Sequence, residues 1–145
     1  MLRPISEKEL LKLPVEAREH ARNLFKTDYT SATLMLLRHS CKELKEILGR
    51  KAAPLFFRAI RLSKAGYRGH IFNVLSEIVT PKDTTTLIEL YKKDASIANE
   101  GFFRALGNTK SEKIIPMVNE ILRTSPWGMH KAEAAGALGG LPLRR

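Results

Sequence analysis

The residues of this 145-residue chain whose types and spacing could do chemistry are basic ones. Arg61, Lys92 and Arg123 recur at intervals of 31 residues. Arg68 and Lys131 mark a second recurring position, with Asn99 between them. Arg58 and Lys64 flank the first of these cations, and Arg104 follows Asn99 closely. Guanidinium and ammonium groups donate hydrogen bonds and carry charge at neutral pH. Their natural chemistry is to hold carboxylates and phosphates. Arg58, Arg61, Lys64, Arg68, Arg104 and Lys131 are therefore the candidate binding residues.

Charge supports that direction. The formal net charge is +10, which favours an acidic partner. From Arg38 to Arg68 there are nine basic residues against two acids, Glu43 and Glu46, and no acid lies between Glu46 and Glu77. Catalytic chemistry finds much less support. The histidines at 20, 39, 70 and 130 share no metal-ligand spacing, and His39 with Cys41 is too sparse for zinc. No glycine-rich phosphate loop occurs, because Gly136, Gly139 and Gly140 end a helical pattern rather than begin one. Cys41 sits in a helical pattern, where a buried, inert thiol is expected. No carboxylates pair on a shared face, and no cofactor or metal is implied.

The elements that carry these cations repeat. Leu44, Leu75, Leu106 and Leu138 recur at spacings of 31, 31 and 32. Twelve positions after the first three come Phe56, Leu87 and Val118, and shortly beyond them Ala59-Ile60, Leu90-Tyr91 and Ile121-Leu122. Pro54 and Pro116 each fall ten positions after their leucine. A fixed apolar skeleton at such a period predicts stacked supersecondary units. Its apolar spacing is helical, with no strand alternation and no hairpin turn signal.

The spacing predicts a lead-in helix near 7–12, with Ser6 and Glu9 as a capping box. A helix from Pro14 to about 26 follows, and then one from 31 to 48 that stops at Gly49. Helix pairs follow near 52–63 with 67–79, 82–94 with 97–107, and 111–123 with 127–139. Thr80-Pro81, Ser125-Pro126 and Thr109 with Glu112 are predicted helix starts, and Gly107 and Gly139 predicted stops. Short connections make successive helices antiparallel neighbours.

These elements sort the cations. Arg61, Lys92 and Arg123 fall in the last turn of the first helix of each pair, where the helix dipole favours a cation by about 0.3–1 kcal/mol. Arg68 and Lys131 fall near the start of the second helix, where the dipole opposes them. They need another partner, either an acid of a neighbouring repeat or a ligand. Arg58 aligns with Glu89 and Glu120, at a position expected to face solvent. Arg104 lies two residues before its marker leucine and is expected to project toward a groove. Trp127 is expected to pack, and one phenylalanine of Phe56-Phe57 and of Phe102-Phe103 to be buried, the other part-exposed.

The string His130-Lys131-Ala132-Glu133-Ala134-Ala135-Gly136-Ala137-Leu138-Gly139 resembles the second helix of a HEAT-like repeat, of the short type found in phycocyanobilin lyases. Phe102 to Gly107 resembles it with phenylalanines in place of alanines, and Tyr67-Arg68 through Leu75 keeps the basic residue and the leucine. The resemblance covers about residues 44–141, with 1–43 a divergent helical lead-in. It implies an all-α fold, an α-α superhelix or HEAT-like solenoid of about four antiparallel helix pairs in one domain over residues 1–145. Its second helices would line a concave face.

The expected function is a non-enzymatic adaptor whose concave, basic surface holds an acidic protein segment or a nucleic acid. Two alternatives stand beside it. One is a DNA-binding repair protein of the helical-repeat alkylpurine glycosylase type. Its groove aromatics and catalytic acid have weak counterparts here, since Trp127 is the single tryptophan. The other is an assembly subunit of a larger helical array, docking through Leu138, Leu141 and Leu143. The start of the chain has no long apolar run and carries early acids, unlike a signal peptide. No stretch is apolar enough for a membrane span. A single cysteine fits a reducing cytoplasm.

Overall fold

The computed structural model describes residues 5–25, 31–62, 68–97, 99–124 and 128–139, which form helices and turns without a strand. The α-helices are α1 (Glu7–Leu11), α2 (Val15–Leu24), α3 (Ser31–Leu48), α4 (Ala53–Leu62), α5 (Arg68–Leu75), α6 (Thr84–Lys93), α7 (Glu100–Asn108), α8 (Ile115–Thr124) and α9 (Gly128–Gly139). Tight 3-10 turns at Gly49–Ala52, Pro81–Asp83 and Glu112–Ile114 lead straight into α4, α6 and α8.

Local chemistry accounts for most of the boundaries. Ser6 and Glu9 form the capping box of α1. The carboxylate of Asp83 accepts from the backbone N–H of Thr80 at 2.8 Å and so fixes the entry to α6. Gly49 takes φ +58°, the left-handed conformation that lets α3 stop. α5 is shorter than expected. It ends at Leu75, and i→i+3 bonds carry the chain round to Ile78, because Thr80 precedes a proline and is held extended. The predicted start at Ser125-Pro126 lies outside the described residues.

Two local expectations are corrected. Gly107 does not stop α7 but lies within its last turn, buried. A Cβ there would stand 3.1 Å from the Cα of Ala137 in α9, so this glycine serves close helix approach. The left-handed residue that ends α7 is Lys110, φ 57°. Thr109 does not cap the next helix either. Its buried hydroxyl donates back to the carbonyl of Leu106 at 2.7 Å, and Ser111 supplies the cap by accepting from the N–H of Lys113.

The chain forms two compact units, Met1–Ile78 and Val79–Arg145. In the first, α3 packs on α2 and α5, and α4 packs on α2 and α5. In the second, α9 packs on α7 and α8, and α6 on α7. Leu44, Leu75 and Leu106 are fully buried on α3, α5 and α7, while Leu138 on α9 is half-buried. Phe56, Leu87 and Val118 are fully buried on α4, α6 and α8. Burying each such side chain stabilises the fold by about 1.5–3 kcal/mol.

Both members of each phenylalanine pair are buried, where one of each was expected to be part-exposed. Phe56 and Phe57 are 0% and 5% exposed, and Phe102 and Phe103 are 0% and 2%. Neighbouring residues on a helix point about 100° apart, and α4 and α7 each have helices on two sides to cover both directions. Phe103 packs edge-to-face on Phe102 at 5.4 Å, and Tyr91 stacks on Phe102 at 6.0 Å.

Candidate basic cleft between α3 and α5

Within the first unit a cleft of about 450 Å³ opens between α3 and α5. One wall is a stripe of α3, where Met35, Arg38, Lys42 and Lys45 lie three or four residues apart and share a face. His39 joins them at the edge. The other wall is α5 and the turn after it, with His70, Asn73, Val74 and Glu77 at the same kind of spacing. Three cations therefore face one carboxylate. Arg38, His39 and Lys42 are exposed, as is Met35 at 71%.

The charges are unequally engaged. Lys45 pairs with Glu77 across the cleft mouth, which ties α3 to the end of α5. That hydrogen bond holds the Lys45 ammonium above its usual pKa. No carboxylate among the described residues pairs with Arg38 or Lys42. Burial, and after it the nearby Arg38 guanidinium, push His70 below the ordinary imidazole value. The cleft thus presents two cations with no acid partner among the described residues and an imidazole whose protonation is disfavoured.

Groups below the surface hold His39 in place. Its ring meets that of His20 edge-on at 5.5 Å. Nδ1 of His20 lies 3.1 Å from the hydroxyl of Ser40, which also accepts from Nδ2 of Asn23 at 3.0 Å. Ser40 is fully buried, so its hydroxyl is a tie between α2 and α3 and faces no substrate. Cys41, beside it, is 0% exposed, and burial pushes its thiol up to about 12.

Four of the six cations expected from the repeat alignment, Arg58, Arg61, Arg68 and Arg104, have described side chains. Arg58 was expected to face solvent. It is half-buried, and its Nη1 and Nη2 donate to the two carboxylate oxygens of Glu9 at 2.5 and 3.2 Å. Its guanidinium also lies 5.8 Å from the centre of the Phe25 ring. The Arg58 guanidinium, hydrogen-bonded to Glu9, and the backbone of Ser6 pull the Glu9 carboxyl down to about 2. Arg58 differs from Glu89 and Glu120 because the extra helix α1 supplies it with an acid. Arg61 is exposed in the last turn of α4, as the helix dipole prefers.

Arg68 opens α5, half-buried and engaged with its neighbours. Arg104 belongs to the second unit and donates to Glu100 one turn back at 2.8 Å. It lines a smaller cleft of about 250 Å³ between α7 and α9, with Glu133 and Gly136. Arg123, in the same ladder as Arg61, pairs with Glu120. Lys64, the side chain of Lys131, and Trp127, Leu141 and Leu143 lie outside the described residues.

Of the candidates whose side chains are described, Arg58, Arg61, Arg68 and Arg104, none lines the α3–α5 cleft. Arg38, Lys42 and Lys45 had counted only toward the total of a basic stretch. The signal that finds them is their i, i+4, i+7 spacing on one helix. Among the described residues, no three His, Cys, Asp or Glu side chains gather closely enough to share a metal ion. No helix among them is long and apolar enough to cross a membrane. No protein-family model, curated protein or solved structure matches the chain.

Proposed function

We propose that this chain is a non-enzymatic binding module of HEAT-like helical-repeat type that holds an acidic partner in the basic cleft between α3 and α5. The observation that carries the reading is the stripe of Arg38, Lys42 and Lys45 facing a wall whose only acid among the described residues is Glu77. A carboxylate or phosphate in the cleft would find charge-assisted donors that the fold leaves without an acid. The helical-repeat, solenoid part of the proposal rests on the leucines spaced by 31 or 32 residues, carried by the alternate helices α3, α5, α7 and α9. A cytoplasmic setting suits a chain whose one cysteine is buried and reduced.

Titration with two simple polyanions, polyglutamate and inorganic polyphosphate, tests the reading. At about 50 mM salt at least one of them binds, and binding weakens as salt rises toward about 200 mM. The charge-reversed variant Arg38→Glu/Lys42→Glu loses that binding while keeping its helical circular dichroism. Neither polyanion binding the parent chain, or the variant binding as tightly as the parent, sinks the proposal.

A further inference from the structure

We infer that the acidic partner of the α3–α5 cleft is a single-stranded nucleic acid, held by its phosphates on Arg38 and Lys42 and by a base against the imidazoles of His39 and His70. The inference rests on the binding reading above and adds the class of ligand. Three features bear on that class: the surface of the cleft separates a nucleotide strand from an acidic peptide, its shape separates a single strand from a duplex, and the charge of the chain favours a polyanion of either kind.

The first is the kind of surface between the charges. A carboxylate side chain needs donors alone. The cleft also carries flat faces, the His39 and His70 rings and the Arg38 guanidinium, together with the apolar Met35 and Val74. Flat, polarisable faces beside cations are what an unstacked base uses, through stacking on imidazole or guanidinium planes. The second is shape. Duplex DNA is read by an element that protrudes into its groove. A concave cleft of about 450 Å³ instead takes in a small group and is too small to seat a duplex, though it falls in the range of sites that enclose a nucleotide-sized ligand. The third is charge. The whole chain carries +10, which raises the encounter rate with a polyphosphate backbone.

The residues divide the work. Arg38 and Lys42 are one helical turn apart, about 6 Å along α3, and so can hold phosphates of one strand. Lys45 is committed to Glu77 and contributes less. The His39 ring meets the His20 ring edge-on and is itself exposed, so its face is open to a base. Asn73 lies on the opposite wall.

Fluorescence anisotropy with a labelled oligonucleotide of about 12 nucleotides tests this. Unlabelled duplex, polyglutamate and inorganic polyphosphate serve as competitors. With two to three cations engaged, the single-strand salt slope is about −1.4 to −2.1, so affinity falls roughly 7- to 18-fold between about 50 and 200 mM salt. Arg38→Gln/Lys42→Gln flattens the slope by about 1.4. His39→Ala/His70→Ala lowers oligonucleotide affinity at least about fivefold, leaves polyphosphate affinity unchanged, and keeps the salt slope. His39→Tyr with His70 intact restores or exceeds the parent affinity, because it returns a stacking face without an imidazole. Variants are compared only at matching melting temperature.

The outcomes separate this inference from the one beneath it. If polyphosphate competes as well as the oligonucleotide and the histidine variants change nothing, base recognition is refuted while the anion-binding reading survives. If polyglutamate or duplex outcompetes the single strand, this inference is likewise overturned and the partner is an acidic protein or a duplex. If no polyanion binds, both fall.

Discussion

Gly107 and Gly136 offer a matched pair of substitutions on helices that face each other, and their alanine variants should move stability in opposite directions. Glycine within a helix costs about 0.8–1.0 kcal/mol relative to alanine. At Gly136, exposed on α9, an added Cβ meets nothing within 4 Å. Gly136→Ala should therefore gain roughly that amount. At Gly107 the same Cβ would stand 3.1 Å from Cα and 3.2 Å from the carbonyl oxygen of Ala137. Carbon atoms prefer about 3.5–4.0 Å, so the contact is several tenths of an ångström too close. The obstacle is α9 backbone, which cannot swing aside as a side chain can.

The helices must then part. Overpacking of this kind costs about 1–3 kcal/mol, which offsets or outweighs the helix-propensity gain. Gly107→Ala should be neutral to about 2 kcal/mol destabilising, and Gly107→Val worse. The two alanine variants should differ by about 1–3 kcal/mol. With a urea m-value of roughly 2 kcal/mol/M, their midpoints separate by about 0.5–1.5 M at unchanged m. Adding Ala137→Gly to Gly107→Ala should not rescue it, since removing a methyl leaves the obstructing Cα and oxygen in place. A Gly107→Ala midpoint raised as far as that of Gly136→Ala would refute the close packing of α7 on α9.

Four further outcomes follow from the same fold. Gly49 sits at φ +58° with free space around it, so Gly49→Ala should cost about 1–2 kcal/mol in chemical denaturation through conformation alone, and Gly49→Asn less. The Cys41 thiol, buried and raised to about 12, should label with a maleimide only as fast as the chain opens; labelling at the rate of a free thiol would contradict its burial. Glu9 falls from 4.5 to about 2 on folding. Its folded pKa is the lower one, so its contribution is present above about 4.5 and lost as pH falls toward about 2. Glu9→Gln should lower the melting temperature at pH 7 and cease to matter near pH 2, and an equal effect at both would sink the pairing with Arg58. His70 is held below its ordinary value, so acidification protonates the unfolded chain first and removes stability; polyphosphate should raise the His70 value in an NMR titration, and no upward movement would place the bound anion elsewhere.

Helices were legible in the sequence because their causes are local. Apolar spacing, the Ser6–Glu9 box and Gly49 each act within a few residues of the boundary they set. What was not legible depends on partners distant in the chain. Arg58 read as a solvent-facing charge because the acid that pairs with it lies 49 residues away on α1. Gly107 read as a helix stop because the reason for it, the backbone of Ala137, belongs to α9. The phenylalanine pairs read as half-exposed because a sequence does not say how many neighbours a helix has. The cleft was half legible. Arg38, Lys42 and Lys45 stand at helical spacing on one face, but the opposing His70, Asn73 and Glu77 follow only once α5 is known to pack on α3 across the intervening α4.

The cations of this chain can be separated by what holds each one. Arg61 has a helix end, Arg58 has Glu9, Lys45 has Glu77, and Arg104 and Arg123 have acids one turn back. Among the described residues, Arg38 and Lys42 have neither. They lie inside α3, away from its last turn, so the dipole offers them little. They are also four residues apart, an arrangement in which like charges destabilise a helix by about 0.2–0.5 kcal/mol. Arg38 further opposes protonation of His70 across the cleft. A cost that small is tolerated by any fold, but both cations face a cleft whose other wall carries, among the described residues, a single acid already paired with Lys45. An anion that enters between α3 and α5 adds an attraction to each of these cations and offsets the repulsion between them.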